Sequence, residues 1–190
     1  MATGILVLAA GQSRRMGTDK RLLAWRDTHL LAHAINVCAR TGLGYKVALS
    51  CRQEDDLIAP LCERNCVRIK DSELGLGHTL AHAIGRLPAS WDGVIVHLAD
   101  MPLVKVSTFQ KIARELPNHP ITIPSYHQKL GNPRGFSRSL WTQLAALTGD
   151  QGAKDLIRQN PDLCHVLDVD DAGVLIDIDT QEDYQTWQPQ

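Results

Sequence analysis

The sequence predicts an α/β protein in three layers, a mostly parallel central sheet with helices on both faces. Three observations predict it. Gly4–Ala10 (GILVLAA) and Gly93–Leu98 (GVIVHL) are continuous apolar runs, the pattern of central parallel strands buried on both sides. Segments with helical apolar spacing alternate with these and shorter strand-like runs, as parallel pairing requires. Small residues and charges follow the apolar runs directly, at the strand ends where such sheets bind ligands.

The elements follow in order. After the first strand, Leu30–Arg40 places Leu30, Leu31, Ala34, Ile35, Val37 and Cys38 on one helical face. Tyr45–Leu49 reads as the second strand. Glu54–Glu63 opens with acids, which helix N-termini favour, and turns Leu57, Ile58 and Leu61 inward. Cys66–Ile69 is a short strand, His78–Leu87 a helix and Gly93–Leu98 the next strand. Ser107 can cap a helix to about Leu116, with Pro117 near its end. Ile121–Pro124 reads as a strand and Ser125–Phe136 as a loop or hairpin. Ser139–Leu147 and Gly152–Gln159 look helical. Val166–Val169 and Val174–Ile178 read as short strands, and Glu182–Trp187 as a terminal helix.

Composition excludes several classes. The 190 residues carry 20 Lys+Arg against 21 Asp+Glu, a net charge of −1 that leaves no footprint for non-specific nucleic-acid binding. With 44% apolar and 22% charged residues the chain is globular rather than disordered or fibrous. The length fits one domain, and no repeat or linker divides it. The start lacks a basic region and a cleavage site, and no apolar run approaches the ~20 residues of a membrane span, so a soluble cytoplasmic protein is expected. Cys38, Cys51, Cys62, Cys66 and Cys164 are odd in number and scattered, which favours buried reduced thiols over zinc or disulfides. His29/His33 and His78/His82 stand four apart but lack the glutamate of the H-E-x-x-H zinc motif. His33 and His82 read as half-buried helix positions. Four isolated tryptophans do not make a stacking platform.

Chemistry concentrates after the first strand, in Leu8-Ala9-Ala10-Gly11-Gln12-Ser13-Arg14-Arg15-Met16-Gly17-Thr18-Asp19-Lys20. Small residues at 9–11 let the backbone turn tightly, and successive N–H groups in such a turn can cradle an anion. Arg14, Arg15 and Lys20 add positive charge, so the loop suits a triphosphate. It is not a P-loop, because Gly11 and Gly17 are separated by five residues and Thr18-Asp19 follows. Gly75-Leu76-Gly77-His78-Thr79-Leu80 begins a dinucleotide fingerprint but lacks its third glycine. Its glycines permit close approach to a planar base, and Thr79 offers a hydroxyl at a helix start. Asp100, at the end of a buried strand and ahead of Met101-Pro102, is placed either for a metal or for a turn. Asp177 and Asp179 alternate across a strand end; one can join Asp100 and the other can cap the last helix.

The loop matches L-A-[AG]-G-x-S-x-R-M-G-x-x-K at every specified position. In this it resembles the MobA-like nucleotidyltransferases, within the nucleotide-diphospho-sugar transferase fold. The resemblance runs from Ile5 to Asp183. It implies that Asp100, in Asp100-Met101-Pro102, binds Mg²⁺, and that Asp179 is the second metal-side residue. Gln181 stands where relatives have Pro in D-x-D-T-P-E-D, and Thr79 where they have Ser. It implies nucleotide binding by Leu8, Ala9, Ala10, Gly11, Ser13, Arg14, Arg15, Lys20, Gly75, Gly77 and Thr79. Gly131-Asn132-Pro133-Arg134-Gly135-Phe136 and Gly149-Asp150-Gln151-Gly152-Ala153-Lys154 resemble segments of the molybdenum cofactor cytidylyltransferase branch, which implies acceptor contacts from Asn132, Pro133, Asp150 and Gly152. Ala10 points to the same branch, since the guanylyl branch typically carries glycine there.

The implied organisation is a nucleotide-binding half, about 1–105, and an acceptor-binding half, about 106–190. The implied reaction is transfer of CMP from CTP to the phosphate of molybdopterin, with pyrophosphate released. Its nucleophile is an ionised phosphate oxygen, so no general base is needed and none is evident. Mg²⁺ on Asp100 and Asp179 is expected to bridge the two phosphates, while Arg15 and Lys20 neutralise the triphosphate. The cations of the loop and the acids are expected on opposite sides of one cleft. A GTP-using relative, a sugar- or polyol-phosphate nucleotidyltransferase, and a noncatalytic nucleotide- or cofactor-binding module are the alternatives. A molybdoenzyme or its chaperone is the expected recipient of the product; nucleic acid and membrane are not expected partners.

Overall fold

The structure, a computed structural model, describes residues 1–11, 19–51 and 58–188. Its framework is one sheet. The strands are β1 (Thr3–Leu8), β4 (Gly44–Ser50), β5 (Cys66–Ile69), β6 (Gly93–Leu98), β7 (Ile121–Tyr126), β8 (Lys129–Leu130), β9 (Arg134–Ser137) and β10 (Cys164–Asp168); β2 (Ala24–Trp25) and β3 (Thr28–His29) form a separate small hairpin. The order across the sheet is β10-β7-β9-β6-β1-β4-β5, with β8 paired to the outer end of β7. Within the seven-strand path β9 alone runs antiparallel to its neighbours, β6 and β7. β1, buried at every residue, is the central strand the sequence predicts: it pairs with β4 on one side and β6 on the other. The chain moves outward from β1 through β4 to β5, then returns to the other side of β1 as β6. That reversal opens a crevice beyond the carboxyl ends of β1 and β6.

The helices are α1 (Leu30–Arg40), α2 (Leu76–Ile84), α3 (Val106–Glu115), α4 (Trp141–Ala145), α5 (Lys154–Gln159) and α6 (Gln181–Trp187). On one face of the sheet, Leu31, Ile35 and Cys38 of α1 and Phe109 and Ile112 of α3 pack against Ile5, Val7 and Ile95. On the other, Leu80, Ala83 and Ile84 of α2, with Leu144 and Leu156 of α4 and α5, pack on Leu6, Leu8, Val94 and Val96. Burial on both faces is why β1 and β6 read as unbroken apolar runs.

Several expectations are corrected. Glu54–Leu57 lies outside the described residues, and from Ala59 the predicted helix is replaced by short 3₁₀ turns, with Pro60 in the first. The stretch 125–136 is a hairpin plus the inserted strand β9. Val174–Ile178 is not a strand: Ala172–Leu175 forms a 3₁₀ turn whose start is fixed by the Asp171 carboxylate accepting from the Gly173 N–H at 3.0 Å. Ser107 does not cap α3, since it lies inside the helix. The anion at that helix start comes instead from buried Asp171, which accepts from the Lys105 N–H at 2.8 Å and the Thr108 hydroxyl at 2.6 Å. Of the five cysteines only Cys38 and Cys62 are fully buried. Burial pushes the Cys38 thiol up to about 12. His82 is exposed rather than half-buried; His78 and His82 donate to the carbonyls of Lys70 and His78.

His97, in the middle of β6, is 1% exposed and meets Phe109 edge-on at 5.0 Å. Burial lowers its pKa from 6.5 to about 3. Between those values the unfolded chain binds a proton that the folded chain refuses, so stability is full above pH 6.5 and declines as pH falls through the window. One proton corresponds to about 1.4 kcal/mol per pH unit. Urea unfolding at pH 7 and pH 5 is therefore expected to give a smaller pH difference for His97→Leu than for the unaltered chain; equal differences would remove His97 as the cause.

Candidate active site

A cavity of about 530 Å³ opens at the carboxyl ends of β1 and β6. This volume is within the range of small-molecule sites. The strands deliver their next residues into it: Leu8, Ala9, Ala10 and Gly11 from β1, and Leu98, Ala99 and Asp100 from β6. The register Leu8↔Leu98 and the bond from the Ala99 N–H to the Leu8 carbonyl, 3.2 Å, keep these two ends side by side.

Lys20 lies in a 3₁₀ turn, Lys20–Leu22, capped by the Asp19 carboxylate. The next residue fixes this turn. Arg21 is buried, its guanidinium gripping Asp19 (2.6–3.1 Å) and donating to the Ala9 carbonyl at 2.8 Å, so the turn is tied back to the end of β1. The Lys20 ammonium then reaches Asp100 Oδ2 at 2.6 Å and Asp179 Oδ1 at 2.7 Å, with the Ile178 carbonyl at 3.4 Å. Burial opposes this charge, but the charges and hydrogen bonds of Asp100 and Asp179 outweigh it and raise the lysine's pKa. The expected separation of loop cations from acids across a cleft thus fails for Lys20, which is seated among the acids.

Asp179 is brought in from far along the chain. The Ile178 N–H donates to the Asp100 carbonyl at 2.9 Å, and α6 is anchored by a capping box between Thr180 and Asp183. Neither Asp177 nor Asp179 caps that helix, because Thr180 takes the position. Trp25 of the small hairpin is fully buried with Leu30 and Ile178, and the Tyr184 hydroxyl of α6 donates to the Ala24 carbonyl at 2.6 Å. The hairpin after Lys20 and the helix after Asp179 therefore hold each other in place. Partial loss of water, then the charges of Asp179 and Asp100, raise the pKa of Asp177.

This acidic corner fits a divalent cation. Asp100 Oδ1 is buried and accepts no hydrogen bond among the described residues, an orphaned carboxylate oxygen. Asp100 and Asp179 share Lys20, and Asp177 is close enough for their charges to shift it. Carboxylate oxygens are the donors a hard ion such as Mg²⁺ takes.

The opposite wall comes from the start of α2. Gly75, at φ +115, and Thr79, buried in the second turn, line the cavity together with Asp150. Gly77 does not: a Cβ there would meet the Thr148 carbonyl oxygen at 2.5 Å, and its N–H donates to the Gly149 carbonyl at 2.7 Å. A Cβ on Gly75 would fall 2.4 Å from Asp150 Oδ1. Residues 148–150, by the Thr148 and Gly149 backbone and the Asp150 carboxylate, take the room these glycines leave, and this close packing presents Asp150 to the cavity. Gly152 packs beneath, facing Leu76.

Asn132 and Pro133 are not part of this lining. They connect β8 to β9, and the Asn132 N–H donates to the Val174 carbonyl at 2.9 Å. Ser13, Arg14 and Arg15 lie outside the described residues. Arg21, Ser72, Glu73 and Leu76 line the cavity without having been singled out from sequence. Arg21 carried a signal, its place in the same loop as Lys20, and Glu73 and Leu76 carried one in flanking Gly75; Ser72 carried none.

The family model described as the MobA-like NTP transferase domain matches residues 5–164. The purine catabolism protein PucB of Bacillus subtilis (strain 168) is 26% identical over 188 residues, spanning 93% of this chain and 91% of that protein. The crystal structure of Rv0371c from Mycobacterium tuberculosis H37Rv matches with a TM-score of 0.85 at 31% identity, covering 98% of this chain and 97% of that one. A crystal structure of Rv0371c in complex with manganese matches at 0.83 and 28%, covering 99% and 98%.

Proposed function

The chain belongs to the MobA-like NTP transferase family, and on that premise we propose that it transfers CMP from CTP to the phosphate of molybdopterin, giving molybdopterin cytosine dinucleotide and pyrophosphate. Nucleotidyl transfer follows from the family; CTP and molybdopterin are our reading. The observation that carries it is the Lys20 ammonium held between Asp100 and Asp179 inside the cavity.

The chemical difficulty is the approach of two anions. An acceptor phosphate oxygen forms a bond to the α-phosphorus, the bond from that phosphorus to the β-bridging oxygen breaks, and its electron pair leaves on pyrophosphate. No proton need be removed by the protein, and its task is neutralisation and alignment. Lys20 places a positive charge at the phosphates as charge accumulates on the leaving group. Asp100 and Asp179 hold the metal, for which we read Mg²⁺. When bound, Mg²⁺ supplies Lewis-acid polarisation of phosphate oxygens. The relative bearing manganese supports a divalent ion in this role. Arg14, Arg15 and Ser13 complete the phosphate cradle in this reading. Ala9, Ala10 and Gly11 let the nucleotide lie close to the backbone, with Gly75 and Thr79 on the facing wall. In this reading Asp150 borders the acceptor's entry, and Asn132, Pro133 and Gly152 contact the acceptor beyond the cavity lining. Ala10 and the 131–136 and 149–154 segments support CTP and molybdopterin over GTP or a sugar phosphate. A molybdoenzyme or its chaperone then receives the product.

The test is pyrophosphate release with molybdopterin and each nucleoside triphosphate in turn. CTP is expected to be used at least tenfold better than GTP. Preference for GTP would transfer the protein to the guanylyl branch. Transfer only to sugar or polyol phosphates would overturn the acceptor. No pyrophosphate with any pair would make it a binding module.

A further inference from the structure

A second group of ligating side chains lies away from the cavity. Glu115 ends α3, His119 follows in the turn after it, and His165 is on the edge strand β10. Their ligand atoms lie within 4.8 Å of one another. The His119 and His165 rings stack at 4.0 Å with an interplanar angle of 11°. Both Nε2 atoms approach the same oxygen, Glu115 Oε2, at 3.7 and 3.9 Å. These separations are too long for hydrogen bonds. Donors bound tetrahedrally at 2.0–2.1 Å sit roughly 3.3 Å apart, so the two histidine–glutamate separations must shorten by a few tenths of an ångström, and one imidazole must turn out of the stack for both in-plane lone pairs to meet at one ion.

Chain geometry supports the convergence. In β10 side chains alternate, so Cys164 packs with the α4 and α5 side of the sheet, while Leu167, two residues beyond His165, packs with the α3 side. His165 therefore faces α3. The Asn118 and His119 N–H groups donate to the Glu115 carbonyl at 3.0 Å, which brings His119 back over the end of the helix. The side chains are 31–40% exposed, accessible to an ion from solvent.

We propose that Glu115, His119 and His165 form a zinc-class site, with two imidazoles and one carboxylate as ligands and a remaining position for water. Imidazole donors select a borderline transition metal, unlike the all-carboxylate corner at Asp100, which suits Mg²⁺. The residues sit at the end of α3 and near the start of β10, the opposite end of the sheet from the cavity. The bound ion clamps the edge strand to α3 and takes no part in nucleotidyl transfer.

The experiment is calorimetric titration of untagged full-length protein with Zn²⁺ in excess Mg²⁺, which keeps the acidic corner filled. One Zn²⁺ is expected per chain, raising the melting temperature. His165→Gln and Glu115→Gln are expected to weaken it at least tenfold and remove the thermal shift, with turnover in Mg²⁺ unchanged. In long-range ¹H–¹⁵N spectra, Nε2 of His119 and His165 is expected to move on zinc addition. Undiminished binding in both variants, or binding lost in Asp100→Asn but kept in His165→Gln, overturns the site. Should His165→Gln fail to fold, the histidine spectra of the unaltered protein decide: unmoved Nε2 signals overturn it.

Discussion

Lys20→Ala is expected to lower turnover by about 10²–10³, the cost of losing one preorganised charge-stabilising group. The same substitution should leave Mn²⁺ binding intact or tighten it. In the structure the ammonium stands between Asp100 and Asp179, where it competes with a cation for their oxygens. Asp100→Asn should behave differently, losing turnover by a similar factor and Mn²⁺ binding with it. Electron paramagnetic resonance of free Mn²⁺ beside a pyrophosphate assay separates the two. If Lys20→Ala weakened Mn²⁺ as much as Asp100→Asn did, the lysine would be holding the acids in position rather than serving phosphate. Neither change should unfold the chain, because the turn bearing Lys20 is fixed independently by Arg21, Asp19 and the Ala9 carbonyl. Circular dichroism verifies that.

Asp171→Ala is expected to be the most destabilising single change among the acids. Three groups donate to its buried carboxylate: the Lys105 N–H, the Thr108 hydroxyl and the Gly173 N–H. Hydrogen bonds to an ionised acceptor contribute about 1.5–3 kcal/mol each and do not add fully, so roughly 3 kcal/mol or more is expected, with donors left buried and unpaired. The helix start at α3 also loses its anion. Asp171→Asn, keeping an acceptor but no charge, should lose less. Asp168→Ala, at an exposed neighbour on β10, should stay within about 0.5 kcal/mol. Urea midpoints for the three rank them; equal midpoints for Asp171→Ala and Asp168→Ala would refute the role.

Asp171 also illustrates what the sequence could and could not express. Continuous apolar runs gave away β1 and β6, because burial on both faces leaves no polar position to confuse the period. The apolar face of α1 was equally legible. A cap supplied from position 171 to a helix beginning at 106 has no local signature, so the sequence points to the nearest serine, Ser107, instead. The apolar residues of the 3₁₀ turn at Ala172–Leu175 resemble a short strand, and contacts from outside the segment fold it otherwise: the Asp171 bond, the Asn132 N–H on the Val174 carbonyl and the close approach of Gly173 to Leu103. At the cavity, Lys20, Asp100, Thr79 and Asp150 were visible as residues following strands or in glycine turns. Their contacts were not, since a direct lysine–aspartate pair depends on how three distant segments meet. Arg21 has no signature of its own in the sequence, because nothing there records that the Ala9 carbonyl accepts from it.

The Lys20 pairings have a consequence for synthesis. The lysine is 80 residues from Asp100 and 159 from Asp179. A chain emerging from the ribosome presents Lys20 first, Asp100 next and Asp179 last of the three. Until that last carboxylate is translated, Lys20 has only one of the two acids that seat it, and the Trp25 hairpin lacks the helix it packs against. A nascent chain therefore lacks the assembled site until Asp179 has left the ribosome, and nucleotidyl transfer waits for that residue however much of the fold is already in place.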